Sequence, residues 1–305
     1  MLDLIVFIKC SGVNVRIDNL ADTINSFDQR NKGVNYKFYL VVDPHLESKA
    51  YDLLLASVGT EKILDFVVTE NSWAVDFNIF FEKHKNSSKW LLISHDDVVY
   101  LSNDYFKKMT EAVESNIESV GWITSTSEYY YKHERKLVTD TFRAGFYKDN
   151  NKWGAMFQLH TGDIDNPDYP TRPVKIHGPM SAVMLTTMES MKKIGPCEDW
   201  SMYTMLIDED WSLSALKNNL WNIWVPYVHH FHPNRRHLRQ ANNRWENEAH
   251  AGLIEKWGFD TGDPKSEGYE QGVSIPVEEL REKYKGTNVA WSSYRNSFEW
   301  EYLDE

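Results

Sequence analysis

The stretch Leu91–Val98 (LLISHDDV) decides how the rest of the chain is interpreted. It belongs to an apolar run from Trp90 to Ser94, and a short uninterrupted run of this kind is typical of a strand buried on both faces. The run leads directly into two adjacent carboxylates, Asp96 and Asp97. Because ligands of open parallel sheets bind beyond the carboxyl ends of the strands, these residues indicate a site. Taken alone, an acidic pair after a strand is more often a turn or a helix cap.

The residues before this stretch alternate between strand and helix patterns. Leu4 to Ile8 (LIVFI) and Phe38 to Val42 (FYLVV) are apolar runs that predict buried strands, and Ile17 to Phe27 between them has apolar residues at helical spacing. The pattern continues with a helix near Ser48 to Ser57, a strand at Ile63 to Val68 and a helix near Val75 to His84. This alternation predicts a doubly wound α/β fold with parallel strands.

Regular patterning weakens in the middle of the chain and then returns. Residues 125–172 are rich in tyrosine and turn residues, and we interpret them as an insertion that bears loops. Beyond it the patterns predict an ordered strand region at Val174 to Leu185 and helices near Thr187 to Lys193, Asp210 to Asn218 and Arg235 to Trp257. We expect one domain over residues 1–258, with halves 1–105 and 106–258. The aromatic-rich tail, 259–305, is expected to pack on this body or on a partner, including a second copy.

The composition of the 305-residue chain excludes several classes of protein. With 33 basic against 45 acidic residues, the formal charge of −12 has the wrong sign for broad binding to nucleic acid. Cys10 and Cys197 are too few for a disulfide scaffold, which favours a reducing compartment. No apolar stretch approaches the ~20 residues that span a bilayer. We therefore expect a cytoplasmic protein with at most peripheral contact with the inner membrane.

Two more clusters could carry chemistry. Asp208-Glu209-Asp210 opens a predicted helix, where acidic residues either cap free amides or supply a general base. His229-His230-Phe231-His232 follows an apolar strand, and imidazoles are good ligands of borderline metals. On a strand, His230 and His232 share one face and His229 lies on the other.

The order of these features resembles the GT-A fold nucleotide-sugar glycosyltransferases, and within them the large inverting group often called family 2, over residues 4–258. The resemblance implies a Rossmann-like, mostly parallel central sheet flanked by helices, with a loop-rich insertion and a C-terminal helical and aromatic tail. His95-Asp96-Asp97 stands where the family has its DXD motif, which makes Asp97 the first expected metal ligand. His232 after Trp224-Val225-Pro226 matches the family's late histidine ligand, and His230 is the second choice.

Glu209-Asp210-Trp211-Ser212-Leu213 is similar to the family's "E-D-x-D-L" helix start. The resemblance implies that Asp210 is the catalytic base, with Glu209 beside it. It also implies that the nucleotide-sugar donor lies near Lys9, Ser11, Asp43, Asn71 and Asp96. The expected acceptor is a hydroxyl of a glycan, a lipid-linked glycan or a protein, with polysaccharide biosynthesis as one expected setting.

The expected cofactor is Mn²⁺ or Mg²⁺. Histidine at position 95, where the family has an acid or an amide, favours Mn²⁺ over Mg²⁺ because Mg²⁺ prefers oxygen ligands. His95 and Ser212 both depart from the family pattern. Two alternatives remain open: a metal-dependent hydrolase that uses the same Asp and His residues to activate water, and a carbohydrate-binding module that has kept the fold without the chemistry.

Overall fold

The structure is a computed structural model. It describes residues 1–10, 17–131, 134–139, 141–142, 145–149, 152–156, 160–161, 170–176, 178–179, 182–200, 207–232, 243–257 and 303. Ser11 and most of the tail, 259–305, lie outside these residues.

The described residues form seven α-helices and fifteen strands, which alternate regularly in the first third of the chain. The helices are α1 (Ile17–Arg30), α2 (Glu47–Val58), α3 (Trp73–His84), α4 (Tyr105–Glu111), α5 (Met188–Ile194), α6 (Ile207–Lys217) and α7 (Asn243–Trp257). The strands are β1 (Leu2–Cys10), β2 (Tyr36–Val42), β3 (Ile63–Val68), β4 (Ser88–Ser94), β5 (Val99–Tyr100), β6 (Val120–Tyr131), β7 (Glu134–Thr139), β8 (Thr141–Phe142), β9 (Gly145–Asp149), β10 (Lys152–Met156), β11 (His160–Thr161), β12 (Val174–Ile176), β13 (Gly178–Pro179), β14 (Val183–Thr187) and β15 (Trp221–Phe231).

The first four long strands form the parallel part of the central sheet. Their order is β3-β2-β1-β4, and each neighbouring pair is parallel, with Ile5 opposite both Lys37 and Leu91. The predicted parallel β-α-β opening is confirmed. Because parallel strands need crossover connections, α1, α2 and α3 lie between successive strands along the chain.

The sheet continues past β4 with strands from the second half of the chain. β14 pairs antiparallel with β4 on one side and with β6 on the other. β15 runs parallel to β6 and also pairs with β5 and β12. The carboxyl ends of β4 and β15 therefore lie on one side of the sheet, and this geometry brings the site together.

Helices cover both faces of the sheet, as the doubly wound pattern predicts. Along β1, Leu4, Val6 and Ile8 belong to one apolar core, whereas Ile5 and Phe7 belong to the other. Side chains of α1, α2 and α4 complete the first core, and side chains of α3, α5 and α6 complete the second. This alternation follows from the two-residue period of a strand, and it buries β1 on both sides.

The segment predicted as a loop-bearing insertion, 125–172, differs from that expectation. β6 runs through Tyr131 and pairs antiparallel with β7, with Tyr131 opposite Glu134, and β9 pairs with β10. Only two residues connect β6 to β7, which is a hairpin connection, and a tyrosine-rich segment suits a pleated surface better than a loop.

The helices in the C-terminal part match the predicted ones over the described residues. α6 already includes Ile207, three residues before the predicted start at Asp210. α7 lies within the helix that we predict from Arg235, and residues 235–242 of that prediction lie outside the described residues. Leu303, from the tail, packs against the first core, and its backbone N–H donates to the carbonyl of Pro173. At this one described point the tail packs on the body.

Candidate functional site

The carboxyl ends of β1, β2 and β4 lie at one edge of the sheet. The backbone N–H of Asp43 donates to the carbonyl of Cys10 at 3.2 Å. The Cys10 thiol is fully buried there, and burial, followed by the nearby charges of Asp96 and Asp43 and a hydrogen bond with Asp96, raises its pKa well above the usual range. Two of the residues expected to contact the donor, Asp43 and Asp96, therefore lie close to each other.

His95, Asp97 and His232 form a compact cluster at the same edge. Each offers one ligand atom, and these atoms all lie within 4.8 Å of one another. His232 Nε2 is 3.2 Å from Asp97 Oδ1, and the rings of His95 and His232 have centroids 5.3 Å apart at an interplanar angle of 71°. All three side chains are partly exposed, so a ligand can reach them.

The backbone fixes both ends of this cluster. The N–H of His95 donates to the carbonyl of Ala182, just before β14, at 2.8 Å. The N–H of His232 donates to the carbonyl of Glu128, in β6, at 3.0 Å. The pairing of β14 with β4 and of β15 with β6 thus sets the positions of the two imidazoles.

The donor set of the cluster fits a divalent metal ion. Two imidazole nitrogens and one carboxylate oxygen suit borderline ions of the Mn²⁺ type, whereas Mg²⁺ prefers an all-oxygen shell. Three protein ligands leave coordination positions that a bound diphosphate could fill. The chemistry of these residues therefore fits Mn²⁺ better than Mg²⁺.

His230 lies next to this cluster without belonging to it. Its ring is fully buried, and Nδ1 is 2.7 Å from the hydroxyl of Ser125, which in turn contacts the hydroxyl of Tyr105. Burial first, and then the neighbouring histidines, lower the pKa of His230 well below its usual value. Within the described part of the chain Nε2 has no hydrogen-bond partner. The structure thus places His232, and not His230, beside Asp97.

The buried Lys9 and the exposed Asn71 are both bonded to Asp76. The Lys9 ammonium forms an ion pair with Asp76, in α3, and donates to the carbonyl of Asn71 at 2.8 Å. The Asn71 amide donates to the other Asp76 oxygen at 3.1 Å. Lys9 and Asp76 are both buried, so this network holds the loop between β3 and α3 against the end of β1.

Asp210 and Glu209 stand in the first turn of α6, and both are buried. Desolvation raises the pKa of Asp210, although Lys256 and Trp257 act in the opposite direction. Desolvation and the neighbouring Asp208 raise the pKa of Glu209 well above its usual range. Glu209 Oε2 has no hydrogen-bond partner among the described residues.

The C-terminal helix α7 lies directly over Asp210. Trp257 Nε1–H donates to Asp210 Oδ1 at 2.7 Å, and the Lys256 ammonium donates to Oδ2 at 3.0 Å. Asp210 is not one of the three clustered residues, which are His95, Asp97 and His232.

The sequence alone does not assign a role in the site to four of these residues, which are His95, Asp76, Lys256 and Trp257. The sequence places His95 in the DXD-like motif and uses it to favour Mn²⁺, but it does not name His95 as a metal ligand. Asp76 and the Lys256–Trp257 pair gave no local signal, because their partners are distant in the chain. The alternation along β1 could have indicated Asp76, since it places Lys9 on the face that α3 covers.

Comparisons with known proteins are informative at the level of the fold. No protein-family model matches this sequence, and no curated protein matches it. Among solved structures, it is similar to the crystal structure of GalNAc-T7 with UDP, GalNAc and Mn²⁺, with a TM-score of 0.60 and 12% sequence identity. The match covers 93% of this chain and 55% of that chain, so this chain spans about half the length of the structure that it matches.

This similarity, together with the sheet order, defines the fold as the GT-A type of α/β fold. Across the described residues, no helix is both long and apolar enough to cross a membrane.

Proposed function

We propose that this chain is a nucleotide-sugar glycosyltransferase that holds a divalent metal ion with His95, Asp97 and His232. The observation that carries the proposal is the convergence of these three ligand atoms within 4.8 Å at the carboxyl edge of a GT-A sheet. Neither β4 nor β15 supplies such a set alone, since His95 and Asp97 follow one strand and His232 follows the other. Mn²⁺ is the ion that this donor set favours.

The proposed donor site lies beside the cluster. Asp43 and Asp96 lie close to Cys10 at the ends of β2, β4 and β1, where a doubly wound sheet binds nucleotides. The solved structure of GalNAc-T7, which shares the fold, contains UDP and Mn²⁺. Both observations support a nucleoside diphosphate sugar as the donor. Lys9 and Asn71 would hold the loop between β3 and α3 in place beside this site, through their bonds to Asp76.

The proposed reaction is a single displacement with inversion. The acceptor hydroxyl oxygen bonds to the anomeric carbon as the bond between that carbon and the diphosphate oxygen breaks, and Asp210 takes the hydroxyl proton. When bound, the metal ion neutralises negative charge on the departing diphosphate. An ionised carboxylate offers about four acceptor positions, so the two hydrogen bonds from α7 leave capacity for a hydroxyl.

The proposed acceptor is a hydroxyl of a glycan, a lipid-linked glycan or a protein, and the proposed setting is polysaccharide or glycolipid assembly in the cytoplasm. A panel of such acceptors, each incubated with nucleotide sugars and Mn²⁺, identifies the product by mass spectrometry. Release of free sugar at the same rate with and without acceptor would instead identify a hydrolase.

Calorimetric titration of UDP in the presence and absence of Mn²⁺ tests the metal and donor site. We expect binding that depends on Mn²⁺ in the parent and is lost in Asp97→Asn. Asp65→Asn is the matched control, because Asp65 is not one of the three clustered residues. It forms an ion pair with Lys83 that is more exposed than the pair of Asp97 and His232. Binding of UDP that is equal with and without Mn²⁺ would overturn the metal assignment, and no nucleotide binding at all would favour a non-catalytic module.

The Asp210→Asn variant tests the base. Removal of a general base lowers the rate by about 10²- to 10⁴-fold, and UDP binding with Mn²⁺ should persist. A transfer rate equal to that of the parent would exclude Asp210 as the base.

A further inference from the structure

The last turn of α7 fixes both oxygens of the Asp210 carboxylate. Oδ1 accepts from the Trp257 indole at 2.7 Å, and the Lys256 ammonium lies 2.9 Å from Oδ1 and 3.0 Å from Oδ2. The Asp210 side chain is only 3% exposed, so these contacts take the place of water. A carboxylate with a fixed donor on each oxygen cannot rotate freely.

Lys256 is itself held in place by a second carboxylate. Its ammonium donates to Glu198 Oε1 at 2.7 Å and lies 5.6 Å from the centroid of the Trp257 ring. Glu198 belongs to the loop between α5 and α6, so one lysine joins three parts of the chain.

The helix approaches this loop closely enough to set the geometry. A Cβ atom added to Gly252 would lie 2.3 Å from the ring of Trp200, so only glycine permits the observed distance between α7 and the loop. Gly252 stands one turn before Lys256, on the side of the helix that faces the body. The close contact therefore fixes how far Lys256 and Trp257 reach toward Asp210.

The groups around Asp210 shift its pKa in opposite directions. Desolvation raises its pKa, and the charge of Glu198 acts in the same direction. Lys256 and the Trp257 hydrogen bond lower it, and the adjacent Glu209 favours the protonated form of its own carboxyl. Lys256 is the cation that contacts Asp210, and Lys217, in α6, lies 5.6 Å from the centroid of the Trp257 ring. Without Lys256, burial and the neighbouring acids would favour a proton on Asp210.

We propose that Lys256 and Trp257 are positioning residues that keep Asp210 deprotonated and hold its carboxylate in one orientation. The consequence of this proposal for catalysis rests on the proposed function, because that consequence presumes that Asp210 receives the acceptor proton. The contact between α7 and Asp210 does not depend on that function. The two can therefore be tested separately.

The indole N–H resonance of Trp257 reports the charge of Asp210 directly. In ¹⁵N-labelled protein this resonance, assigned by its loss in Trp257→Phe, should shift with pH as Asp210 takes up a proton. We expect the midpoint to move to higher pH in Lys256→Met and in Lys256→Gln, and to return toward that of the parent in Lys256→Arg. Lys192→Met is the matched control, because Lys192 pairs with the exposed Glu189.

A midpoint that is unchanged in Lys256→Met and Lys256→Gln would overturn the proposal. The remaining indole resonances show in the same spectra whether each variant is folded, and Lys256→Gln retains a hydrogen-bond donor if the methionine variant does not fold. No substrate is needed, so this result stands apart from any failure to find a donor sugar.

The pH dependence of transfer gives the catalytic half of the test. The acidic limb of kcat/KM should move to higher pH in Lys256→Gln, with a KM for the donor close to that of the parent, and Lys256→Arg should restore it. A purely structural lysine would lower the rate at every pH without moving the limb. If the resonance shifts and the limb does not, Lys256 sets the charge of Asp210 and Asp210 is not the base.

Discussion

His232 Nε2 lies 3.2 Å from Asp97 Oδ1, although the two residues follow different strands of the sheet. The contact exists because β4 and β15 both end at the same edge, with β14 and β6 between them. An imidazole and a carboxylate at this distance, with a second imidazole from His95 beside them, form a site for a cation.

Replacement of His232 by alanine should weaken Mn²⁺ binding. Loss of even an outer-shell partner of a metal site costs roughly 10- to 100-fold in affinity, so loss of a ligand should exceed about 100-fold. Electron paramagnetic resonance of free Mn²⁺ measures the affinity. His45→Ala, at an exposed position before α2, is the control and should bind as the parent does. An affinity retained in His232→Ala would remove this residue from the site.

Lys9→Met should destabilise the fold strongly. It leaves Asp76 charged and buried without its cation, and removal of one partner of a buried pair typically costs about 3–5 kcal/mol. Urea unfolding measures the free energy of unfolding. As a control, Lys83→Met removes the more exposed ion pair of Lys83 with Asp65 and should lower the free energy of unfolding by about 1 kcal/mol or less. The double variant Lys9→Met with Asp76→Asn should recover part of the loss, and a loss as small as that of the control would show that the pair is not buried in solution.

Glu209→Gln should change how stability depends on pH. Burial raises the pKa of Glu209 above its ordinary value of 4.5, so its protonated form favours the folded state and this stabilisation is lost as pH rises. The free energy of unfolding of the parent should therefore fall relative to that of the variant as pH rises above about 4.5. Parallel curves for the two proteins would contradict the buried environment of Glu209. Glu189→Gln, at an exposed site, should give a curve parallel to that of the parent.

Gly252→Ala should loosen α7 from the body. Alanine favours a helix over glycine by roughly 0.5–1 kcal/mol, but here its Cβ would collide with the Trp200 ring, and overpacking costs typically about 1–3 kcal/mol. We expect a lower melting temperature and faster amide hydrogen exchange in α7. Glu255→Ala, on the exposed side of the same helix, should leave both measurements close to those of the parent. A higher melting temperature in Gly252→Ala would show that the Trp200 ring can move aside and that the contact does not require glycine.

Local pattern predicted the first half of the fold well. The apolar runs of β1, β2 and β4 are continuous because these strands are largely buried on both faces, so each can be recognised without knowledge of its neighbours. β3, at the edge of the sheet, is half-buried along its length, and Asp65 interrupts its apolar run. The position of β14 between β4 and β6 could not be predicted in this way. Its pairing depends on residues far away in the chain, and its five residues (VMLTT) carry no information on their partners.

The candidate site was predicted only for those residues that follow a strand recognisable from its local pattern. Asp97 and His232 each follow a recognisable strand, so the topology of the sheet brings them together. Lys9 was expected at the donor, because it stands near the end of β1, but it alternates with Ile5 and Phe7 and points into the face that α3 covers. The contact of Asp210 with Lys256 and Trp257 depends on the path of the chain after β15, which strand and helix patterns do not specify.

The place of β14 in the sheet also bears on how the protein is made. During synthesis the parallel strands β1 to β4 emerge first, and the hydrogen-bonding edge of β4 stays open until residues 183–187 leave the ribosome. An unpaired apolar strand edge promotes association with other chains. Nascent chains halted before Val183 should therefore recruit chaperones, whereas those long enough to release Thr187 should do so less.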